Sequence, residues 1–187
     1  MHAPHSLADH FLIAMPSLAD RHFVRGVTLI CQHDEDGAMG FVINHLSEYT
    51  LGNILRQMDI VAGSSALCGQ SVLLGGPVQP DRGFVLHDDE RDFGSTLRFG
   101  QGLAVSTSRE ILEGMACGEG PARTLVTLGF AGWTAGQLEQ ELAENAWLTV
   151  PSDKAILFNT PLSERWQAAG RTLGVDIAGL SDQVGHA

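Results

Sequence analysis

Apolar residues fall in short dense runs separated by turn-forming residues, and the spacing within the runs changes along the chain. His10–Met15 is apolar after its first residue and stops at Pro16, as a buried strand would. Gly26–His33 and Ala38–Asn44 are two more β-rich runs, joined by Asp34-Glu-Asp-Gly37. Two such runs linked by a short segment ending in Asp-Gly predict a hairpin. Both arms are apolar at nearly every position, so their sheet is expected to be covered on both faces.

Helices must supply that cover. Leu51, Ile54, Leu55 and Met58 fall at i, i+3, i+4 and i+7 behind a Thr50 N-cap, which predicts the first helix. Further strands are predicted at Ser71–Leu74, Gly83–His87, Gly102–Ser106 and Arg123–Phe130. Thr107 and Glu110 have capping-box spacing and open a helix to about Cys117, ended by Gly118. Thr134 and Gln137 repeat that spacing after the Gly-rich stretch Gly129–Trp133, ahead of a helix with Leu138 and Leu142 on one face. A last helix is predicted from Pro161 behind Thr160, with Leu162, Trp166, Ala169 and Leu173 in one stripe. No repeat, low-complexity segment or linker interrupts the 187 residues, so one α/β domain with α+β character is expected over 1–187.

Composition narrows the function classes. Hydrophobic residues make up 44% and charged residues 18%, enough apolar matter to offset chain entropy on folding. The net charge is −11, from 22 acids against 11 bases, of which Lys154 is the sole lysine. No ten-residue window holds three bases, and phosphate backbones are gripped by clustered cations, so direct binding of nucleic acid or anionic lipid is disfavoured. Cys31, Cys68 and Cys117 are odd in number and far apart, with no CxxC and no zinc-ligand spacing, which fits reduced thiols in a cytoplasmic protein. Met1–Ala8 lacks a signal-peptide pattern, and no apolar run reaches membrane-spanning length.

Candidate chemistry gathers where strands end. His33-Asp-Glu-Asp-Gly37 and His87-Asp-Asp-Glu90 each place an imidazole before carboxylates, a set that binds a divalent metal or shares acid–base work if the two ends meet. The same residues also serve as ordinary solvated turns, since Asp bonds its own backbone there. Gly129–Gln137 reads as a flexible loop before a helix N-terminus, where an anion could sit, although no P-loop or GxGxxG pattern is present and Glu139, Glu141 and Glu144 load that helix with negative charge. Gly75, Gly76 and Pro77 let a ligand approach the backbone or simply form a turn. No G-x-S-x-G elbow occurs, Cys31 lies mid-strand, and Ser106-Thr-Ser108 is explained by strand-end and capping roles.

Taken in order, these segments resemble the YqgE/AlgH family of small bacterial proteins almost end to end. The resemblance rests on Phe11–Pro16, His33–Gly40 with Asn44, Gly75–Val78 followed by Gly83–His87, Ser106–Ser108, Gly132–Glu139, Trp147 and Gly185–Ala187. It implies a mixed, largely antiparallel β-sheet covered by helices, and it brings no agreed catalytic residues and no cofactor. Some members are labelled transcriptional regulators. A DNA-gripping regulator needs a basic recognition helix, whereas the helix after Gln137 displays glutamates, so any regulation is expected to run through a protein partner or small ligand.

Three readings follow. The first is a non-catalytic regulatory or binding protein whose ligand contacts His33, Asn44, Gly75, Gly76, Pro77, His87, Gly132, Trp133 and Gln137 in one shared site. The second is a metal-assisted or acid–base hydrolase using His33, His87 and neighbouring carboxylates. The third is a structural partner protein. The distance between the two histidines discriminates the first two.

Overall fold

The computed structural model describes residues 5–180. The closing Gly185–Ala187 motif and the first residues of the chain, Met1–Pro4, lie outside the described residues. Ten strands run β1 His10–Ala14, β2 Val27–Asp34, β3 Gly37–Val42, β4 Leu46–Thr50, β5 Ser71–Leu74, β6 Val78–His87, β7 Thr96–Phe99, β8 Leu103–Ser106, β9 Thr124–Thr134 and β10 Trp147–Pro151. The helices are α1 Leu51–Gln57, α2 Ser65–Cys68, α3 Arg109–Ala116, α4 Gln137–Ala143, α5 Lys154–Phe158 and α6 Arg165–Thr172, with 3-10 turns at Leu162–Glu164 and Ile177–Gly179.

The strands form one curled sheet in the order β10-β1-β2-β3-β9-β6-β8-β7, with β5 pairing β9 and β4 pairing β5. Every pairing is antiparallel except β5 with β9, so the sheet is mixed and largely antiparallel. The predicted hairpin is β2–β3. Asp34 pairs with Gly37, and Asp34 Oδ1 accepts from the Asp36 N–H at 2.8 Å to stiffen the turn. Gly37 holds φ +138, and a Cβ there would lie 2.2 Å from the Trp133 carbonyl oxygen, so glycine is required for both conformation and space.

Side-chain alternation explains the double cover. Phe11 and Ile13 join a core with Phe41, Phe84, Leu86 and Trp166 under α6, while Leu12 and Ala14 join a second with Trp133, Leu138 and Trp147 under α4. Val85 and Val126 turn to a third core roofed by Leu51 and Leu55 of α1 and by Ile111 and Met115 of α3. Fully apolar strands are thus needed because both faces are dry.

Three local expectations are corrected. Ser108, not Thr107, is the N-cap of α3, and its hydroxyl bonds the Phe93 carbonyl, so the Thr107–Glu110 capping box does not form. Gly129–Trp133 is not a loop but the second half of β9, held by pairing of Gly132 with Met39 and Trp133 with Ala38. Pro161 opens a 3-10 turn rather than a helix, and α6 starts four residues later at Arg165.

Candidate functional site

Strand β9 sets the distances. Its Thr124 pairs with His87, and its Trp133 pairs with Ala38, the partner of His33 across the hairpin. Nine residues of strand at about 3.3 Å each put the two histidines near opposite ends of a ladder about 30 Å long. A metal or acid–base centre built from both is therefore ruled out by geometry, and so is a single site holding all the predicted residues. Among the described residues no group of three His, Cys, Asp or Glu side chains comes together as a metal cradle.

At the first end, His33 Nδ1 accepts from the Leu7 N–H at 2.9 Å, which leaves Nε2–H to donate to Glu139 at 2.5 Å. That hydrogen bond lowers the Glu139 carboxyl below its usual range. Beside it, Glu141 Oε2 accepts from the indoles of both Trp133 (2.8 Å) and Trp147 (2.9 Å), and Oε1 accepts from Gln137 at 3.1 Å. Phe23 meets Trp147 edge-on at 5.4 Å. Trp133 and Gln137 are thus committed to an internal staple between α4, β9 and β10. Helix α4, which begins at Gln137, has seven residues, and Glu139 in its first turn disfavours an anion there.

At the other end, His87 is fully buried. Its Nδ1 accepts from the Asp89 N–H at 3.2 Å, so the proton sits on Nε2, which donates to Ser106 Oγ at 2.9 Å. Ser106 Oγ lies 2.7 Å from Thr96 Oγ1. Burial lowers the imidazole pKa; Asp89 and Asp88 oppose it more weakly, and Arg98 and Arg91 add to it. This pairing of serine and histidine escaped the sequence reading, because only the register of β6 on β8 creates it. It is not a nucleophile and base. The imidazole donates to the serine instead of accepting its proton, no carboxylate orients Nδ1, and the adjoining cavity of about 20 Å³ under Leu112 has room for about one water. The carboxylates of this run face arginines instead: Asp89 chelates Arg91 and is held down at about 2 by that contact, and Asp88 binds Arg123.

Asn44 and the glycine turn lie between these ends. Asn44 Oδ1 accepts from the Val27 N–H and Nδ2 donates to the Arg25 carbonyl, both at 2.9 Å, which clamps the entry to β2. Gly75 carries the chain from β5 across to β3: its N–H donates to Leu128 and its carbonyl accepts from Val42, both at 2.8 Å. Gly76, at φ +154, lies so close to β9 that a Cβ would fall 2.2 Å from the Phe130 carbonyl carbon. Pro77 is exposed and leads into β6.

A cleft lies where no sequence motif points. About 460 Å³ of open space lies over Met39, Phe84, Leu97, Val105 and Phe130, with Arg82 stacked on Phe84 at 5.5 Å and bonded to Gln79 at 3.3 Å. Two predicted residues border it. Gly132 lies beside the lining and pairs with Met39, and a Cβ on it would meet the lining ring of Phe130 at an ordinary 3.7 Å. Gly76 packs on the backbone of Phe130. The available signal was a glycine on the outward face of an otherwise apolar strand. A second cleft, of about 420 Å³, opens between β5, β9 and the α5–α6 turn.

Comparison with known proteins gives a consistent picture. The AlgH-like family model matches residues 11–178. A UPF0301 protein of Stenotrophomonas maltophilia is 60% identical over 183 residues, covering 98% of this chain and 97% of the relative. A UPF0301 protein of Xanthomonas axonopodis is 58% identical over 184 residues, covering 98% of each. The solution structure of the AlgH protein from Pseudomonas aeruginosa matches at TM-score 0.80 and 49% identity, covering 100% of this chain and 99% of that one. A crystal structure from Corynebacterium diphtheriae shares the fold at TM-score 0.72 and 21% identity over 92% of this chain and 90% of its own. With a family model over most of its length and relatives this similar, the chain belongs to the AlgH-like family.

Proposed function

We propose that the protein is a non-catalytic binding protein that takes an apolar or aromatic group, from a small ligand or a protein partner, in the cleft over Phe84 and Phe130. The observation that carries this reading is the composition of that cleft: an apolar floor and one stacked arginine, with no acid–base pair or activated nucleophile among its lining residues and the exposed Gly132 beside it. Apolar floors with few convergent polar groups are the usual design of small-ligand sites. The fixed His87–Ser106 tautomer supports the non-catalytic part. Any regulatory role would then run through the occupant of this cleft rather than through DNA, since cations are sparse and the net charge is −11.

Amide chemical-shift mapping with a library of aromatic fragments tests the reading. Binders are expected to move the resonances of Met39, Phe84, Leu97 and Phe130, and Gly132→Val, which sets a side chain against the Phe130 ring without backbone strain, is expected to abolish those shifts. Fragments that bind elsewhere, or equally well to Gly132→Val, refute the cleft. Turnover of ester or phosphoester probes that disappears in Ser106→Ala refutes the non-catalytic part. A gel-shift titration in which DNA binds at physiological salt refutes the indirect regulatory role.

A further inference from the structure

Arg165 is a buried cation that nothing described neutralises. It is 4% exposed, its Nε donates to the Thr160 carbonyl at 2.9 Å, and its Nη1 donates to the Ile43 carbonyl. Its Nη2 has no hydrogen-bond partner among the described residues, and no described carboxylate forms an ion pair with it. Burial brings the guanidinium down to about 10, still charged at neutral pH. Two carbonyl acceptors satisfy N–H groups but leave the net charge unmatched, and an unpaired buried charge is costly to keep.

The second cleft is where that charge is reached. Arg165 lines it together with Arg123, whose guanidinium lies 5.2 Å from the Phe158 ring centre and uses Nε and Nη2 on Asp88, leaving Nη1 without a described partner. Leu73, Leu125 and Phe158 form its apolar wall, and Asn159 contributes an amide side chain. No Asp or Glu lines it, in a chain where acids outnumber bases 22 to 11. A concave site with the unmatched Arg165, a second arginine whose Nη1 lacks a described partner beside its Asp88 pair, an amide and an apolar wall has the chemistry of an oxyanion receptor.

We propose that this cleft binds a small molecule bearing a carboxylate or phosphate on an apolar body, the oxyanion meeting Arg165 and Arg123 and the body lying against Phe158, Leu73 and Leu125. The site is independent of the cleft over Phe84. Its contacts with the ligand are charge-assisted, so added salt weakens them less than it weakens exposed pairs, because Arg165 is shielded from counter-ions.

Thermal-shift and chemical-shift titrations with benzoate, phenyl phosphate, inorganic phosphate and uncharged benzyl alcohol test it. Benzoate or phenyl phosphate is expected to raise the melting temperature saturably and to move Thr124, Phe158 and Asn159, and the tighter of the two identifies the oxyanion. Benzyl alcohol and inorganic phosphate are expected to bind at least about tenfold more weakly, lacking the charge or the body. Arg165 itself holds two carbonyls, so Arg165→Gln risks misfolding. Ala122→Glu, which adds an acid to the exposed rim, and Arg123→Gln keep the fold and are each expected to weaken the better anion about tenfold. No saturable response to either anion, shifts confined to other residues, or unchanged affinity in both variants overturns the proposal.

Discussion

Glu141 is the residue whose loss tests the structural assignment of Trp133 and Gln137 most sharply. One carboxylate oxygen accepts from two indole N–H groups, those of Trp133 and Trp147, which are 6% and 4% exposed. Glu141→Leu keeps the volume and removes both acceptors. Each stranded buried donor costs about 1–3 kcal/mol. Glu141 is half-buried, so water partly rescues the indoles and the low end applies to each of the two donors, giving a loss of about 2 kcal/mol. For a domain of this size that lowers the melting temperature by about 6 °C. Glu141→Gln retains one acceptor oxygen and is expected to lose only about 1 kcal/mol. Urea titrations followed by tryptophan fluorescence read the staple directly, because the indoles it holds are the reporters. A double-mutant cycle with Trp147→Phe, which deletes one N–H, is expected to show coupling of about 1 kcal/mol. A loss below about 0.5 kcal/mol in Glu141→Leu, or no coupling in the cycle, would refute the assignment and reopen Trp133 as a ligand contact.

Other expectations follow from the same geometry. The folded His87 imidazole has a lowered pKa, so below the unfolded value of about 6.5 the unfolded chain takes up a proton that the folded chain refuses. Stability is therefore complete above that pH and falls as pH drops toward the folded pKa; urea midpoints from pH about 7.5 to about 5.5 should slope less in His87→Gln than in the parent. Gly76→Ala forces a side chain onto the Phe130 carbonyl at φ +154 and is expected to cost about 3 kcal/mol or more by chemical denaturation; a cost under about 1 kcal/mol would contradict the close crossing over β9. Thr127 Oγ1 is buried with no described hydrogen-bond partner, so Thr127→Val is expected to be neutral or stabilising by about 1 kcal/mol, and a clear destabilisation would mean that the hydroxyl has a partner.

What the sequence made legible follows from burial. β1, β2, β3, β5 and the second half of β6 are dense apolar runs, and each was found within a residue or two because strands covered on both faces leave no polar alternation to blur them. β4, β7 and β10 are short and carry exposed or polar residues, and β7 and β10 are the two edges of the main path, where Thr96-Leu-Arg-Phe99 and Trp147–Pro151 need satisfy only one neighbour. Gly129–Trp133 was misread for the opposite reason. Glycines that mark loops elsewhere here mark a strand crossed by another backbone, and only the position of Gly76 against Phe130 tells the two apart. His33, His87 and Gly75–Pro77 do lie at strand ends and a turn, whereas Gly132 and Trp133 lie within β9, whose eleven residues carry the His87 and His33 partners to opposite ends.

That same strand explains why the clefts lie where they do. In register, Leu73 and Phe84 both pair with Thr127, so all three project from one face, as do Leu86 and Leu125. Phe84 floors one cleft, and Leu73 and Leu125 wall the other, so both open on the face that carries the largest core. The opposite face is closed over β5, β6 and β9 by α1 and α3, and the cavity there holds about 20 Å³. The first face is roofed only in part, by α5 and α6. Histidines and carboxylates drew attention in the sequence because chemistry needs them, but they sit where strands terminate and neighbours engage them. The uncovered stretches of the largest core, bordered by Arg82 on one side and by Arg123 and Arg165 on the other, are open to a partner molecule.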